Sequence, residues 1–315
     1  MKVMKICGKV LLILVIIVVV ILIIGLLFLN FYPSIGETPN KEKQKEYEKL
    51  TELYYDKQFH NEKNFEVMTG TPSEESERSE PESRIPVQKI DSIDRAGADE
   101  MKVTWLGHSS SLVQMGEKNI FIDPVLSERS SPVGFAGPKR FSDIALDAEN
   151  VPDIDVLFIS HDHYDHLDYQ TIKDIDSKVS HYVTPLGIDV ILKGWGVDES
   201  KLHPLGWWES TTLDGVTYTV VPSQHYTGRN PMKQNATEWG GLYIKTDKHS
   251  FYYTGDSGYY EVFSQVYERF GETELMLAVK AAEEQGADIA TPRIGQTVSY
   301  DDISSFTEHW WEEYK

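Results

Sequence analysis

The chain has 315 residues, of which 40% are hydrophobic and 25% charged, and a formal net charge of −20 at pH 7. That length accommodates an anchor, a linker and one sizeable α/β domain. The acidic balance, with no Lys/Arg-rich run in the body, argues against nucleic acid as a partner, since backbone phosphates need a cationic surface.

The only cysteine, Cys7, leaves no internal disulfide framework and no thiolate cluster, so any metal must be held by His, Asp or Glu. Val10 to Leu29 is an unbroken apolar run. At helical rise it covers the roughly 30 Å of a bilayer's hydrocarbon core. It reads as a single-pass transmembrane anchor. A cleaved signal peptide is the competing reading, but such an apolar region is shorter and ends in small residues, whereas this one runs into Leu29-Asn30-Phe31-Tyr32-Pro33. Lys2, Lys5 and Lys9 precede the run directly, while Lys41, Lys43 and Lys45 follow at a distance among acids. The positive-inside bias therefore places the body on the outer face of the membrane.

Residues 1–32 are thus expected to form the anchor, 33–100 a linker and N-terminal extension, and 101–315 the functional domain. Within the extension, Lys41 to Lys57 has the composition of a surface helix, with Leu50, Leu53 and Tyr54 as its apolar side. Gly70 to Arg84 is acidic, polar and Pro-containing, the composition of a flexible loop.

From Met101 onward, short β-rich runs alternate with helical segments, which predicts an α/β fold. Strands are expected at Val103 to Leu106, Asn119 to Ile122, Val156 to Ile159, Tyr218 to Val221, Leu242 to Ile244 and Phe251 to Tyr253. Helices are expected at Tyr169 to Ile175, Gly187 to Gly194, Tyr260 to Phe270 and Glu274 to Gln285, the last with Leu275, Ala278, Val279 and Ala282 at helical spacing and Gly286 as its cap.

Three of these strands run directly into polar clusters. Val156 to Ile159 leads into Ser160-His161-Asp162-His163-Tyr164-Asp165-His166-Leu167-Asp168, where three imidazoles and Asp165 crowd into six residues. In extended backbone His161 and His163 point the same way, and imidazole nitrogen with carboxylate oxygen is a zinc donor set. Asp165 and His166 can then face a second ion. Tyr218 to Val221 leads into Pro222-Ser223-Gln224-His225, and Phe251 to Tyr253 into Thr254-Gly255-Asp256. His225 alone is as readily a surface histidine and Asp256 a turn residue; their shared place at strand ends favours metal binding. His108 follows a strand and either lines the site or plays a hydrogen-bonding structural role. His60, His181, His203 and His249 read as surface residues, and Trp207, Trp208, Trp239, Tyr226 and Tyr243 as core.

These blocks resemble the metallo-β-lactamase fold, an αββα sandwich holding one or two zinc ions at its sheet edges. Within that fold they are similar to the N-acylphosphatidylethanolamine-hydrolysing phospholipase D branch. The motifs that carry the resemblance are Trp105-Leu106-Gly107-His108, Asp123 to Pro132, Gly137 to Phe141, Ser160 to Asp168, Pro185-Leu186-Gly187, Trp207-Trp208-Glu209, Pro222 to His225 and Gly255 to Tyr259. The resemblance implies one zinc at His161, His163 and His225, a second at Asp165 and His166, and Asp256 bridging the two. Asp165 and Asp256 are then the catalytic carboxylates, and a metal-bound hydroxide hydrolyses a phospholipid diester, with membrane and phospholipid as partners.

The pattern departs from the family after Gly271. The later strands and the last zinc-binding histidine are missing, as if by an internal deletion, and His309 is the only histidine beyond that point. Two other readings follow from the same residues: a metal-dependent lactonase of the ascorbate-phosphate lactonase type, or an impaired remnant that lacks the last ligand.

Overall fold

The computed structural model describes residues 2–63, 81–258, 260–277, 290–308 and 310. The loop expected over residues 70–80, the helix expected over 278–285 with its Gly286 cap, and His309 lie outside the described residues. Helix α1 (Lys2–Phe31) leads the chain. Its stretch Cys7–Phe31 is long and apolar enough to cross a membrane, and its Val, Leu and Ile side chains from Val10 to Leu27 are exposed.

The body is built on two sheets. In the first, β3 (Met101–Trp105), β4 (Ser111–Met115) and β5 (Lys118–Ile122) form an antiparallel meander. From β5 the pairing turns parallel through β6 (Ile154–Phe158), β7 (Val179–Pro185) and β8 (Leu202–Leu205), while β14 (Thr297–Ser299) closes the far edge against β3. In the second, β9 (Ser210–Leu213), β10 (Val216–Val221), β11 (Gly241–Lys245) and β12 (Ser250–Tyr253) are antiparallel, and β13 (Leu275–Leu277) lies parallel to β12.

Side-chain alternation sets the layers. Val113, Ile120, Ile122, Val156 and Phe158 of the first sheet meet Tyr218, Val220, Leu242, Ile244 and Phe251 of the second in one buried cluster. Their neighbours Leu112, Phe121 and Leu157 face the opposite way and are covered by α3 (Tyr169–Ile175) and α4 (Ile188–Gly194), through Ile172, Ile175, Ile188, Ile191 and Leu192. On the far face of the second sheet, Tyr243 and Tyr252 receive Val262 and Val266 of α5 (Val262–Phe270). The order helix, sheet, sheet, helix is the αββα sandwich that the motifs imply.

Strands β4, β7, β8, β9 and β14 form where none was expected, and two expected helices take another form. Leu275–Leu277 is a strand, because pairing with Phe251, Tyr252 and Tyr253 satisfies its backbone where a first helical turn could not. The surface helix is α2 (Lys41–Leu50), capped by the Asn40 side chain, and it stops well short of Lys57. Asp56 and Lys57 take positive φ instead and turn a small hairpin of β1 (Tyr54–Tyr55) and β2 (Gln58–Phe59). Leu50 is exposed, and the apolar contacts come from Tyr47, Tyr54 and Phe59, which pack with Leu186 and Trp239.

Glu238 lies buried beside Trp239, with one carboxyl oxygen lacking any hydrogen-bond partner. Burial raises its pKa well above the usual carboxylate range, and nearby Glu209 adds to the rise. The unfolded chain ionises this group near its ordinary value while the fold resists, so stability falls as pH rises from the unfolded pKa toward the folded one. Glu238→Gln is expected to raise the thermal midpoint more at pH 8 than at pH 5. Calorimetry at the two pH values checks it, and an equal change at both would refute the assignment.

Candidate metal centre

Four strand ends deliver the centre to one edge of the sandwich. Beyond β6 the chain enters the loop bearing His161, His163, Asp165 and His166, beyond β10 it reaches His225, beyond β12 it reaches Asp256, and beyond β3 it reaches His108. The structure brings all seven together. His161 Nε2 stands 2.9 Å from His163 Nδ1, and His225 Nε2 lies 3.2 and 3.3 Å from those two atoms. Two ligands of one tetrahedral zinc stand about 3.3 Å apart, given metal–nitrogen bonds of about 2.0–2.1 Å. The triangle of nitrogens therefore fits an ion.

A second group joins the first. His166 Nε2 is buried with no hydrogen-bond partner and points at Asp256 Oδ1, 3.4 Å away. The other oxygen of Asp256 lies 3.8 Å from His225 Nε2, so this carboxylate stands between the two groups. The turn that carries it requires glycine before it: Gly255 has φ +61°, and a Cβ there would meet the Gly240 carbonyl oxygen at 2.8 Å. An orphaned imidazole nitrogen inside a nitrogen and oxygen donor set fits a metal centre.

His108, whose role the sequence leaves open, belongs to the centre. Its Nε2 lies 3.0 Å from Asp165 Oδ2, and with Asp165 and His166 it forms a third group with metal-ligand spacing. The backbone is bent to place it. Gly107 and His108 both adopt positive φ, Trp105 Nε1 donates to the His108 carbonyl at 2.8 Å, and Ser109 Oγ donates to the Asp165 carbonyl at 3.0 Å. A left-handed conformation at a residue other than glycine is a cost that functional sites tolerate.

Behind the ligands sits a group that sequence reasoning did not single out. Asp123, fully buried just beyond β5, accepts from Ser160 N at 2.7 Å, Ser160 Oγ at 2.6 Å, His166 Nδ1 at 2.7 Å and Tyr253 OH at 2.7 Å. With its proton on Nδ1, His166 presents Nε2 to the centre, and His161 Nδ1 bonded to Ser160 Oγ at 2.9 Å does likewise. The signal for Asp123 was present: it follows an apolar β-run, as the ligands do.

Electrostatics divide the candidate donors. Burial disfavours a charged His166, but the carboxylates of Asp123 and Asp256 outweigh it and lift the pKa to about 10, so this ring must release its Nε2 proton to hold a metal. Burial pushes His161 well down and His225 to about 4, which leaves both neutral at physiological pH as metal binding requires. Burial opposes the Asp165 carboxylate, yet its hydrogen bond from His108 and the nearby His166 hold it below the usual range, as an anion.

Among the described residues the remaining histidines stay away from the centre. His181 and His203 pair with each other at 3.0 Å, His249 pairs with Glu274 at 3.0 Å, and His60 stacks on Tyr55. Trp239 and Tyr243 are buried in the core, while Tyr226 packs its ring against His163 and His225.

Comparison with known proteins places this geometry. A family model described as "Beta-lactamase superfamily domain" matches residues 118–299. An N-acyl-phosphatidylethanolamine-hydrolyzing phospholipase D of Caenorhabditis elegans is 34% identical over 205 residues, covering 62% of this chain and 57% of the relative. An uncharacterized protein of Mycobacterium tuberculosis is 34% identical over 200 residues, covering 63% of this chain and 53% of the relative. The chain thus spans a little over half the length of these relatives. Among solved structures, an isothiocyanate hydrolase from Delia radicum gut bacteria aligns with TM-score 0.44 and 20% identity, covering 56% of this chain and 70% of that one.

Because Asp123 holds His166 rather than touching an ion, Asp123→Asn should keep the fold while freeing the imidazole to rotate. Zinc affinity is expected to fall about 10- to 100-fold, the usual cost of losing such a support. Competition against a chelator of known affinity measures it, and unchanged affinity would remove Asp123 from the account.

Proposed function

The chain belongs to the beta-lactamase superfamily, and from that premise we propose that it is a zinc-dependent phosphodiesterase of the phospholipase D type, acting on N-acylphosphatidylethanolamine-like lipids from a membrane anchor. The observation that carries this reading is the convergence of His161, His163 and His225 with Asp165, His166 and Asp256 at one sheet edge. The lipid class is supported by the Asp123 to Pro132 and Gly137 to Phe141 motifs and by the identity to the nematode phospholipase. An anchor of the length of Cys7–Phe31 would keep such an enzyme where that substrate resides.

Bound zinc supplies a Lewis acid that acidifies water and polarises a phosphoryl oxygen. The chain's own residues prepare the site for it. His161, His163 and His225 would hold one ion and Asp165 and His166 a second, with Asp256 standing between the two groups. His108 offers the third donor beside Asp165 and His166.

Next to Asp165, a small cleft is lined by His108, Ser127, Glu128, Ser130 and Arg140. Arg140 is held there by the carbonyls of Val125 at 3.1 Å and Leu106 at 3.3 Å. A guanidinium beside the candidate centre is the kind of group that would meet an anionic headgroup.

Purified full-length protein is expected to bind close to two zinc ions per chain and to release phosphatidic acid from an N-acylated ethanolamine phospholipid. His108→Ala should lower the metal content toward one, as measured by elemental analysis after gel filtration. Asp256→Ala should cut hydrolysis at least about 100-fold. Full activity in Asp256→Ala would defeat the proposal, and one ion or fewer in the unaltered protein would favour the remnant reading.

A further inference from the structure

The junction between α1 and the body is built as a rigid joint. The residues just beyond the helix form one tight turn, Pro33–Ile35, in which Ser34 and Ile35 are buried. Four side-chain hydrogen bonds fasten it to the body. Asn230 Nδ2 donates to the Leu29 carbonyl at 3.0 Å, one of the carbonyls that a helix end leaves without an internal partner. Trp195 Nε1 donates to the Pro33 carbonyl at 2.7 Å, Ser34 Oγ to the Pro132 carbonyl at 2.7 Å, and Arg229 Nε to the Ser34 carbonyl at 2.6 Å.

Arg229 continues the connection into the metal loop. Its Nη1 donates to the Asp162 carbonyl at 3.0 Å and the Leu167 carbonyl at 2.6 Å, so one guanidinium spans from the turn below the anchor to both ends of the ligand segment. The group is buried, lying over the rings of Tyr164 at 4.2 Å and Trp195 at 5.0 Å. A desolvated cation tolerates little displacement of its partners. One buried side chain thus ties the end of the helix to the metal loop.

The same two loops that grip the anchor also expose large apolar side chains. Phe135, three residues beyond Pro132, is 84% exposed, and Met232, two beyond Asn230, is 66% exposed. Phe31 and Tyr32 at the end of α1 are exposed too, and aromatic residues at that position mark a membrane–water interface.

We propose that the loops carrying Phe135 and Met232 enter the bilayer beside α1, so that the anchor is a rigid post holding the metal centre at the lipid surface. The proposal rests on the reading that α1 crosses a membrane. Lipid is the occupant because the exposed side chains flank the point where α1 leaves the body, and a helix in the bilayer brings lipid to both loops. A flexible tether would let the domain turn freely; this joint fixes which side of it meets the substrate.

The test uses the full chain in phosphatidylcholine nanodiscs whose acyl chains carry bromine, which quenches a bimane label by contact. Cys7 is the only native cysteine, so a Cys7→Ser background takes single labels through Phe135→Cys, Met232→Cys, Ile21→Cys and Asp214→Cys. Ile21 reports on the anchor. Asp214 lies in the turn before β10, at the strand end opposite the one that leads to His225. Gly134→Cys, where a side chain meets open space, repeats the first reading if the label at 135 disturbs its loop.

Labels at 135 and 232 are expected to show at least half the quenching seen at 21, with none at 214. Quenching at 21 alone, with 135 and 232 no different from 214, would overturn this proposal and leave the anchor standing. No quenching at 21 would overturn both. Zinc content and hydrolysis, assayed separately, report on the metal centre whichever result is obtained.

Discussion

The carboxylate of Asp123 is where the two sheets and the metal loop are tied together. It lies just beyond β5, takes its donors from Ser160 and His166 beyond β6, and takes another from Tyr253 at the end of β12 in the opposite sheet. A fully desolvated anion is costly unless its lone pairs are all engaged, and short contacts of 2.6 to 2.7 Å to four donors provide that engagement. The network joins the sandwich where its strands end, so loops that could otherwise splay are held with their imidazoles facing inward. The αββα core beneath supplies rigidity, and this carboxylate converts it into ligand geometry.

A second set of contacts locks the remaining ligand loop. Asp162, between His161 and His163, accepts from Gly228 N at 3.0 Å and Thr237 Oγ1 at 3.2 Å, which binds the chain after His225 to the chain bearing these two histidines. Arg229 adds its bonds to the same segment. The non-ligand residues of the His161 to Asp168 stretch are therefore structural partners: Asp162 crosslinks loops, Tyr164 stacks under Arg229, and Asp168 caps α3 through Thr171 N at 3.1 Å. That division of labour explains why so many polar residues crowd a single loop.

The fold and the metal loop were readable where an apolar β-run ends abruptly in ligating residues, because strand burial and strand-end chemistry leave opposite marks on the sequence. Strand β4 was not readable. Its Ser111 and Gln114 look unlike a central strand, and only the fold shows Gln114 satisfied by Asn119 at 2.9 Å. β7 was hidden in the same way by Ser180, His181 and Pro185. At Leu275–Leu277, helical spacing of apolar residues suggested a helix, but an open edge beside β12 decided the matter, as tertiary pairing outweighs local propensity. His108 was ambiguous because its position depends on two consecutive left-handed residues, and Asp123 entered only as part of the Asp123 to Pro132 motif because its partners Ser160, His166 and Tyr253 come from distant strand ends.

The central claim is that separate strand ends share captured zinc at this edge. Anomalous diffraction at the zinc edge, from crystals of the full-length protein grown with zinc, tests it most directly. The account predicts two peaks, one within bonding distance of His161, His163 and His225, the other within bonding distance of His108, Asp165 and His166. Zinc bound only elsewhere, or no peak among these side chains, would contradict it.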